Sequence, residues 1–236
     1  MKLLLISNST NPGEEYLDYP KHNIKDFLGS EPVNCLFIPF AAVTFSFDEY
    51  VDKVNNRFEE IGHKVTGIHT FDNKAKAIEK AEAIVVGGGN TWQLVRMLQE
   101  NNLMEALAKK VKEGTPYVRW SAGPNITCPT LKTTNDMPIT EPLSFDTLNL
   151  IPFQINPHYL DETNETHGGE TRETRITEFI HANKEVYVVG LREGCMLKLE
   201  DNKMTMIGSR SARIFHYGKD TVELSSKDDF NYLISK

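Results

Sequence analysis

The sequence predicts an α/β protein: a three-layer α/β/α sandwich with a mostly parallel central sheet and antiparallel strands toward the C-terminus. Three observations carry that prediction. Through the first two-thirds of the 236 residues, short apolar runs alternate with amphipathic stretches. This is the pattern of buried parallel strands covered by helices on both faces. Beyond residue 180 the apolar runs are close-set and joined by turn residues such as Glu200-Asp201-Asn202, as hairpins require. No repeat, low-complexity tract or linker interrupts the chain, so residues 1–236 are expected to form a single domain.

Taken in order, residues 3–7, 35–40, 64–69, 83–88 and 116–121 read as buried strands bounded by turn residues. A helix is predicted over 47–61. There Val51, Val54, Phe58 and Ile61 recur at helical spacing opposite Asp52, Lys53, Asn56 and Glu59. Residues 91–103, with Trp92, Val95, Met97 and Leu98, predict a second helix. Residues 104–111 predict a third, stopped by Gly114 and Pro116. The polar, proline-dotted segment 133–156 reads as loop, and a helix leads up to His181. Runs at 186–191, 195–200, 203–208 and 212–217 are expected to close or extend the sheet with antiparallel strands.

Composition narrows the function classes. The net charge is −7, from 33 acidic and 26 basic side chains. That balance gives no general attraction for nucleic acid or anionic lipid. The longest apolar stretches run six or seven residues, against the ~20 a membrane helix needs. At the N-terminus, the apolar part of MKLLLISNST is too short for a signal peptide and no small-residue cleavage site follows. Cys35, Cys128 and Cys195 are odd in number and widely spaced. Free thiols in a reducing cytoplasm are the expected state.

In folds of this class ligands gather at the carboxyl ends of the parallel strands, so residues just past each strand are the candidates. Ser121, in Arg119-Trp120-Ser121-Ala122-Gly123, ends one such strand. A sharp strand-to-helix turn there would lift its hydroxyl to a carbonyl carbon, with the Ala122 N–H helping an oxyanion hole. The alternative is a helix-capping hydroxyl. Gly87-Gly88-Gly89-Asn90-Thr91 follows another strand. Its glycines let backbone N–H groups meet an anion, either an oxyanion or a phosphate. The spacing matches neither dinucleotide fingerprint nor P-loop, and a plain turn capped by Asn90 or Thr91 remains open.

His158 follows Pro157, which stiffens the backbone before it. The remaining histidines, His22, His63, His69, His167, His181 and His216, show no metal-binding spacing. Two acids could orient the His158 imidazole: Asp136, in a turn-rich loop, and Glu193, just past the strand at 186–191. Each has an ordinary alternative, an Asx turn or a solvated hairpin acid. Spacing does not choose between them. Arg172 and Arg175 follow Gly168-Gly169 one helical turn apart. They are either intrahelical partners of Glu178 or a clamp for a carboxylate.

Together these segments resemble the peptidase E family of α-aspartyl dipeptidases. The likeness runs through LLLISNST, FIPFAAVT, VTGIH, AIEKAEAIVVGGGNT, WSAG, CPT-LKTTNDMPI, QINPHY and GETRE-RI in order. The resemblance implies a serine-type hydrolase of Asp-Xaa dipeptides, related in fold to class I glutamine amidotransferases and using no metal or cofactor. By position, Ser121 matches the nucleophile and His158 the base. Asp136 matches the acid often assigned to the relay, and is preferred on that ground, while Glu193 matches a competing assignment. Gly88, Gly89 and Asn90 match the oxyanion region, and Arg172 matches a basic residue of the specificity pocket.

One departure stands out: Arg119 occupies a position where the family usually has glycine. Strand parity puts it on the same side as Ser121, so Arg119 competes with Arg172 for contact with substrate. The implied partner is a small peptide with N-terminal Asp, with a homodimer left open. Two rival functions keep parts of this reading: a cyanophycinase-like hydrolase of aspartyl-arginine units, and a non-catalytic binder of small anions at the Gly87–Gly89 turn.

Overall fold

The computed structural model describes residues 1–161 and 169–235; His167 and Gly168 lie outside the described residues. Its spine is a seven-stranded sheet built on β1 (Leu3–Ile6), whose four side chains are all buried. Beside β1 lie β2 (Asn34–Ile38), β3 (Lys64–Gly67), β4 (Ile84–Val86) and β5 (Tyr117–Trp120), all parallel and in the order β3-β2-β4-β5-β1.

Successive residues of these strands face opposite sides, and each side meets its own helices. Leu4, Ile6, Phe37, Val85 and Trp120 pack against Ile24 and Phe27 of α1 (Lys21–Leu28) and Val54 and Phe58 of α2 (Phe47–Glu59). Leu3, Leu5, Ile38, Val86 and Tyr117 pack against Ile78 of α3 (Lys74–Lys80), Leu94 and Leu98 of α4 (Thr91–Glu100), and Leu107 and Val111 of α5 (Met104–Lys112). Ser46 and Glu49 form a reciprocal capping box that starts α2. A short α6 (Ala122–Thr127) turns off the end of β5.

The expected three-layer α/β arrangement is present, with two differences at the C-terminal end. β8 (Met196–Glu200) and β9 (Lys203–Ile207) do extend the sheet, β8 running antiparallel to β1. By contrast β7 (Val188–Arg192), β10 (Ala212–Phe215) and β11 (Val222–Leu224) form a separate sheet of four, in the order β11-β10-β7-β6. Its fourth strand is β6 (Gln154–Tyr159), which runs parallel to β7. Hairpin spacing signals antiparallel neighbours, but it says nothing about a strand 30 residues upstream that docks on β7 instead. α7 (Arg172–Ala182) covers this sheet, its Ile176 and Ile180 packing on Tyr159, Val188 and Phe215.

Candidate active site

The two sheets meet at the carboxyl ends of β1, β5, β6 and β7. Ser121 follows β5 directly, and its backbone stands at φ 55°, ψ −114°. A non-glycine residue in that region is strained. The strain comes from the chain turning off the sheet into α6, which lifts the side chain out of the strand. Gly88 packs beneath: a Cβ there would come within 2.6 Å of the Ser121 Cβ. Gly89 sits at φ +134°, and a Cβ on it would strike the Ala41 carbonyl oxygen at 2.3 Å. The turn therefore needs both glycines. Tyr50 braces it from below, donating to the Gly88 carbonyl at 2.9 Å. Asn90 caps α4, accepting from the Gln93 N–H, and donates to the Met137 carbonyl.

His158 also has a positive φ, 53°. Pro157 pairs with Leu191 and Tyr159 with Arg192, so His158 bulges out of the β6–β7 ladder. A bulge of this kind re-aims one side chain. Here the imidazole Nε2 lies 2.9 Å from Ser121 Oγ, and Nδ1 lies 2.6 Å from Glu193 Oε1. Glu193 is the first residue past β7.

Three residues outside the sequence-derived set hold this geometry. Ser7, fully buried at the end of β1, donates to the Leu191 carbonyl at 2.7 Å and accepts from the His158 N–H at 2.9 Å. One hydroxyl thus joins the large sheet to β6 and β7 of the small one. Asn8 accepts from the Gly194 N–H at 2.8 Å, fixing the turn that carries Glu193, and Tyr19 in turn donates to Asn8. Burial pushes the Tyr19 phenol well above its ordinary value, so it stays a neutral donor. Ser7 and Asn8 lie in the LLLISNST segment at a strand end, the one signal that could have marked them.

Asp136 does not reach the imidazole. Its Oδ2 accepts from the Thr91 N–H at 2.7 Å and from the Thr91 hydroxyl at 2.6 Å, at the first residue of α4. The preference for Asp136 as the acid on His158 is corrected accordingly, because Glu193 fills that position. Arg119 is corrected as well. Ser121 lies beyond the strand, so strand parity does not extend to it; Arg119 shares its face with Tyr117 and is fully buried. Its guanidinium donates to Thr127 and lies 4.7 Å from the Tyr117 ring. Burial pulls Arg119 down to about 10. Gly123 leaves room for it: a Cβ there would lie 2.8 Å from the Arg119 Cβ. Arg119 does not line the cleft, whereas Arg172 does. Arg175 is exposed and pairs at 3.9 Å with Glu170 rather than with Glu178.

The cleft over Ser121 holds about 300 Å³. Beside Ser121, His158 and Glu193 it is walled by Ala122, Asn125, Asn135, Asp136 and Arg172. Among the described residues no cluster of three or more His, Cys, Asp or Glu is placed to hold a metal ion. The N–H groups of Gly88, Gly89 and Ala122 have no partner among the described residues, and Ala122 lines the cleft.

A strained serine, a histidine and a carboxylate in one hydrogen-bonded line is the arrangement of serine hydrolases. The model of peptidase family S51 matches residues 3–207. The chain belongs to peptidase family S51. It is a serine peptidase. Similar proteins include the Peptidase E of Nostoc sp., 49% identical over 235 residues, covering 100% of this chain and 97% of that one. The Peptidase E of Salmonella typhimurium is 44% identical over 230 residues, covering 98% and 100%. Two solved structures share the fold. A peptidase from an acI-B1 Actinobacterium aligns with a TM-score of 0.69 at 15% identity, covering 97% of this chain and 96% of that one. A Listeria monocytogenes protein described as a putative Peptidase E aligns with 0.58 at 21% identity, covering 95% and 98%.

Proposed function

We propose that this S51 peptidase is a dipeptidase acting on Asp-Xaa, with Ser121 as nucleophile, His158 as base and Glu193 as the acid that orients it. The observation that carries the proposal is the unbroken line from Ser121 Oγ through His158 to Glu193, at 2.9 and 2.6 Å. A free serine hydroxyl is a weak nucleophile and needs a base within hydrogen-bond reach. His158 Nε2 takes the Ser121 proton as Oγ attacks the scissile carbonyl. Glu193 holds the Nδ1–H tautomer and stabilises the imidazolium that forms. The tetrahedral oxyanion faces the unpartnered N–H groups of Ala122 and the Gly88–Gly89 turn. His158 then protonates the departing amine, leaving an aspartyl ester on Ser121. Water, deprotonated by His158, attacks that ester, releasing aspartate and restoring the serine hydroxyl.

The preference for aspartate rests on Arg172 in the cleft wall and on relatives named Peptidase E. The chain as a whole is acidic, so an anionic substrate must be attracted locally, and a guanidinium matches a carboxylate fork. A cleft of about 300 Å³ is at the small end of ligand sites and suits a dipeptide better than a branched polymer. Three free buried cysteines accord with a reducing cytoplasm as its compartment.

The test measures kcat/KM for Asp-Leu and Asn-Leu and the release of aspartyl-arginine from cyanophycin. Wild type should cleave Asp-Leu alone, Ser121→Ala should lose at least about 10³-fold, and Arg172→Met should shrink the Asp-over-Asn preference at least tenfold. Full activity in Ser121→Ala, or faster attack on cyanophycin than on Asp-Leu, would overturn the proposal.

A further inference from the structure

We infer that Asp136, rather than serving the catalytic relay, receives the free α-ammonium group of the substrate and so makes the enzyme an N-terminal exopeptidase. This rests on reading the cleft as a site for aspartyl peptides. The N-terminal residue of such a peptide carries two opposite charges on neighbouring carbons, an α-ammonium and a β-carboxylate. Arg172 answers only the carboxylate. A partly desolvated ammonium needs its own acceptor, preferably anionic.

The cleft wall contains two carboxylates, Glu193 and Asp136. Glu193 Oε1 is already engaged by His158 Nδ1, and a substrate cation drawing on that group would compete with the relay. Asp136 also has one oxygen engaged and one without a donor, but it makes no contact with His158. Its Oδ2 takes both Thr91 donors, while Oδ1 has no donor among the described residues.

The carboxylate is also firmly held, as a recognition group must be. The Asp136 N–H donates to Thr134 Oγ1, Thr134 donates to Thr91 Oγ1, and the Trp92 indole donates to the Asp136 carbonyl at 3.0 Å. Asn135, next in the loop, donates to the Pro157 carbonyl at 2.7 Å, immediately before His158. The loop is thereby fixed relative to both the glycine turn and the base.

Two other polar acceptors of the wall are committed: Asn135 Oδ1 to Asn156, and the Pro157 carbonyl to Asn135 and Arg172.

The experiment compares aspartyl-p-nitroanilide with succinyl-p-nitroanilide, which keeps the carboxylate and the scissile bond but lacks the amine. The ratio of kcat/KM for the two is taken within each variant, which cancels any difference in folded fraction. Wild type should favour the amine-bearing substrate at least 100-fold. Asp136→Asn, which keeps an acceptor for Thr91 but loses the charge, should cut that preference by about 10- to 100-fold, mainly through KM. Thr91→Val, which keeps the charge but loosens its tether, should raise KM for the aspartyl substrate severalfold and leave the succinyl one unchanged.

An unchanged ratio in Asp136→Asn, or an equal loss on both substrates, would overturn the inference while leaving the peptidase assignment standing. Failure of wild type to cleave either substrate would overturn the aspartyl-dipeptidase reading and this inference with it.

Discussion

The large and small sheets contribute to the cleft in different ways. The seven-stranded sheet offers Ser121 and the glycine turn at the ends of parallel strands β5 and β4, where any α/β fold of this type presents its ligands. The four-stranded sheet contributes His158 through a bulge, and Glu193 from the end of a strand paired both parallel and antiparallel. One half of the site therefore follows from topology. The other half depends on local departures from regular structure and on a few bonds that tie one sheet to the other. Catalytic geometry here should be most sensitive at that junction, and much less so within either core.

The largest effect expected at the junction is from Ser7→Ala. It removes one hydroxyl of a fully buried residue and leaves the His158 N–H without its acceptor. A buried donor left unsatisfied costs about 1–3 kcal/mol, and a displaced imidazole lowers turnover further. A kcat loss of roughly tenfold or more, with KM for Asp-Leu little changed, is the expected outcome in steady-state kinetics. An unaltered kcat would mean the sheets hold their register without this bridge.

A smaller effect, on stability, tests the small sheet by itself. Arg192 donates to Asp161 beyond β6 and to Glu223 on β11. Its guanidinium holds both carboxyls below their ordinary range, chiefly through those hydrogen bonds. Because the folded-state values are depressed, this stabilisation is present above the ordinary carboxylate pKa and fades as pH falls through the lowered values. Both acids are nearly half exposed, so solvent screening limits the gain. Arg192→Leu should lower Tm by about 2–8 °C at neutral pH, and the gap from wild type should close below about pH 4. A gap independent of pH would show that packing, not charge, holds this corner.

The smallest effect on the cleft belongs to Arg119, in the core of the large sheet. Among the described residues its buried charge has no acidic partner, and two of its guanidinium nitrogens have no acceptor. Arg119→Met fills similar volume without burying charge, so thermal melts should show stability unchanged or raised by up to a few kcal/mol. The Asp-Leu over Asn-Leu preference should stay where it was. A collapsed preference would return Arg119 to the substrate site.

The same division marks how much was legible in the sequence. Apolar runs at residues 3–7 and 116–121 gave β1 and β5 to within a residue or two, because strands buried on both faces leave no other pattern. The position of Ser121 followed from that. His158 could be selected from its company, but the bulge that aims it could not, since pairing of β6 with β7 is a non-local event. For the same reason spacing could not choose between Asp136 and Glu193: which carboxylate meets the imidazole is decided by Asn8 and Gly194 across 186 positions of sequence. Arg119 was misplaced by extending strand parity one residue too far, into a turn with positive φ. Ser7 went unnoticed because a serine after an apolar run ordinarily only ends a strand.

The central claim is that the base and its acid partner come from the small sheet while the nucleophile comes from the large one. Its most direct measurement is the rate at which a fluorophosphonate labels Ser121 in the wild type, in Glu193→Gln and in Asp136→Asn, followed by mass spectrometry. That rate reports activation of the serine without reference to any peptide substrate. The structure predicts a fall of about 10³-fold or more in Glu193→Gln, and a far smaller loss in Asp136→Asn, where the His158–Glu193 contact remains. Wild-type labelling in Glu193→Gln together with a collapse in Asp136→Asn would contradict the account.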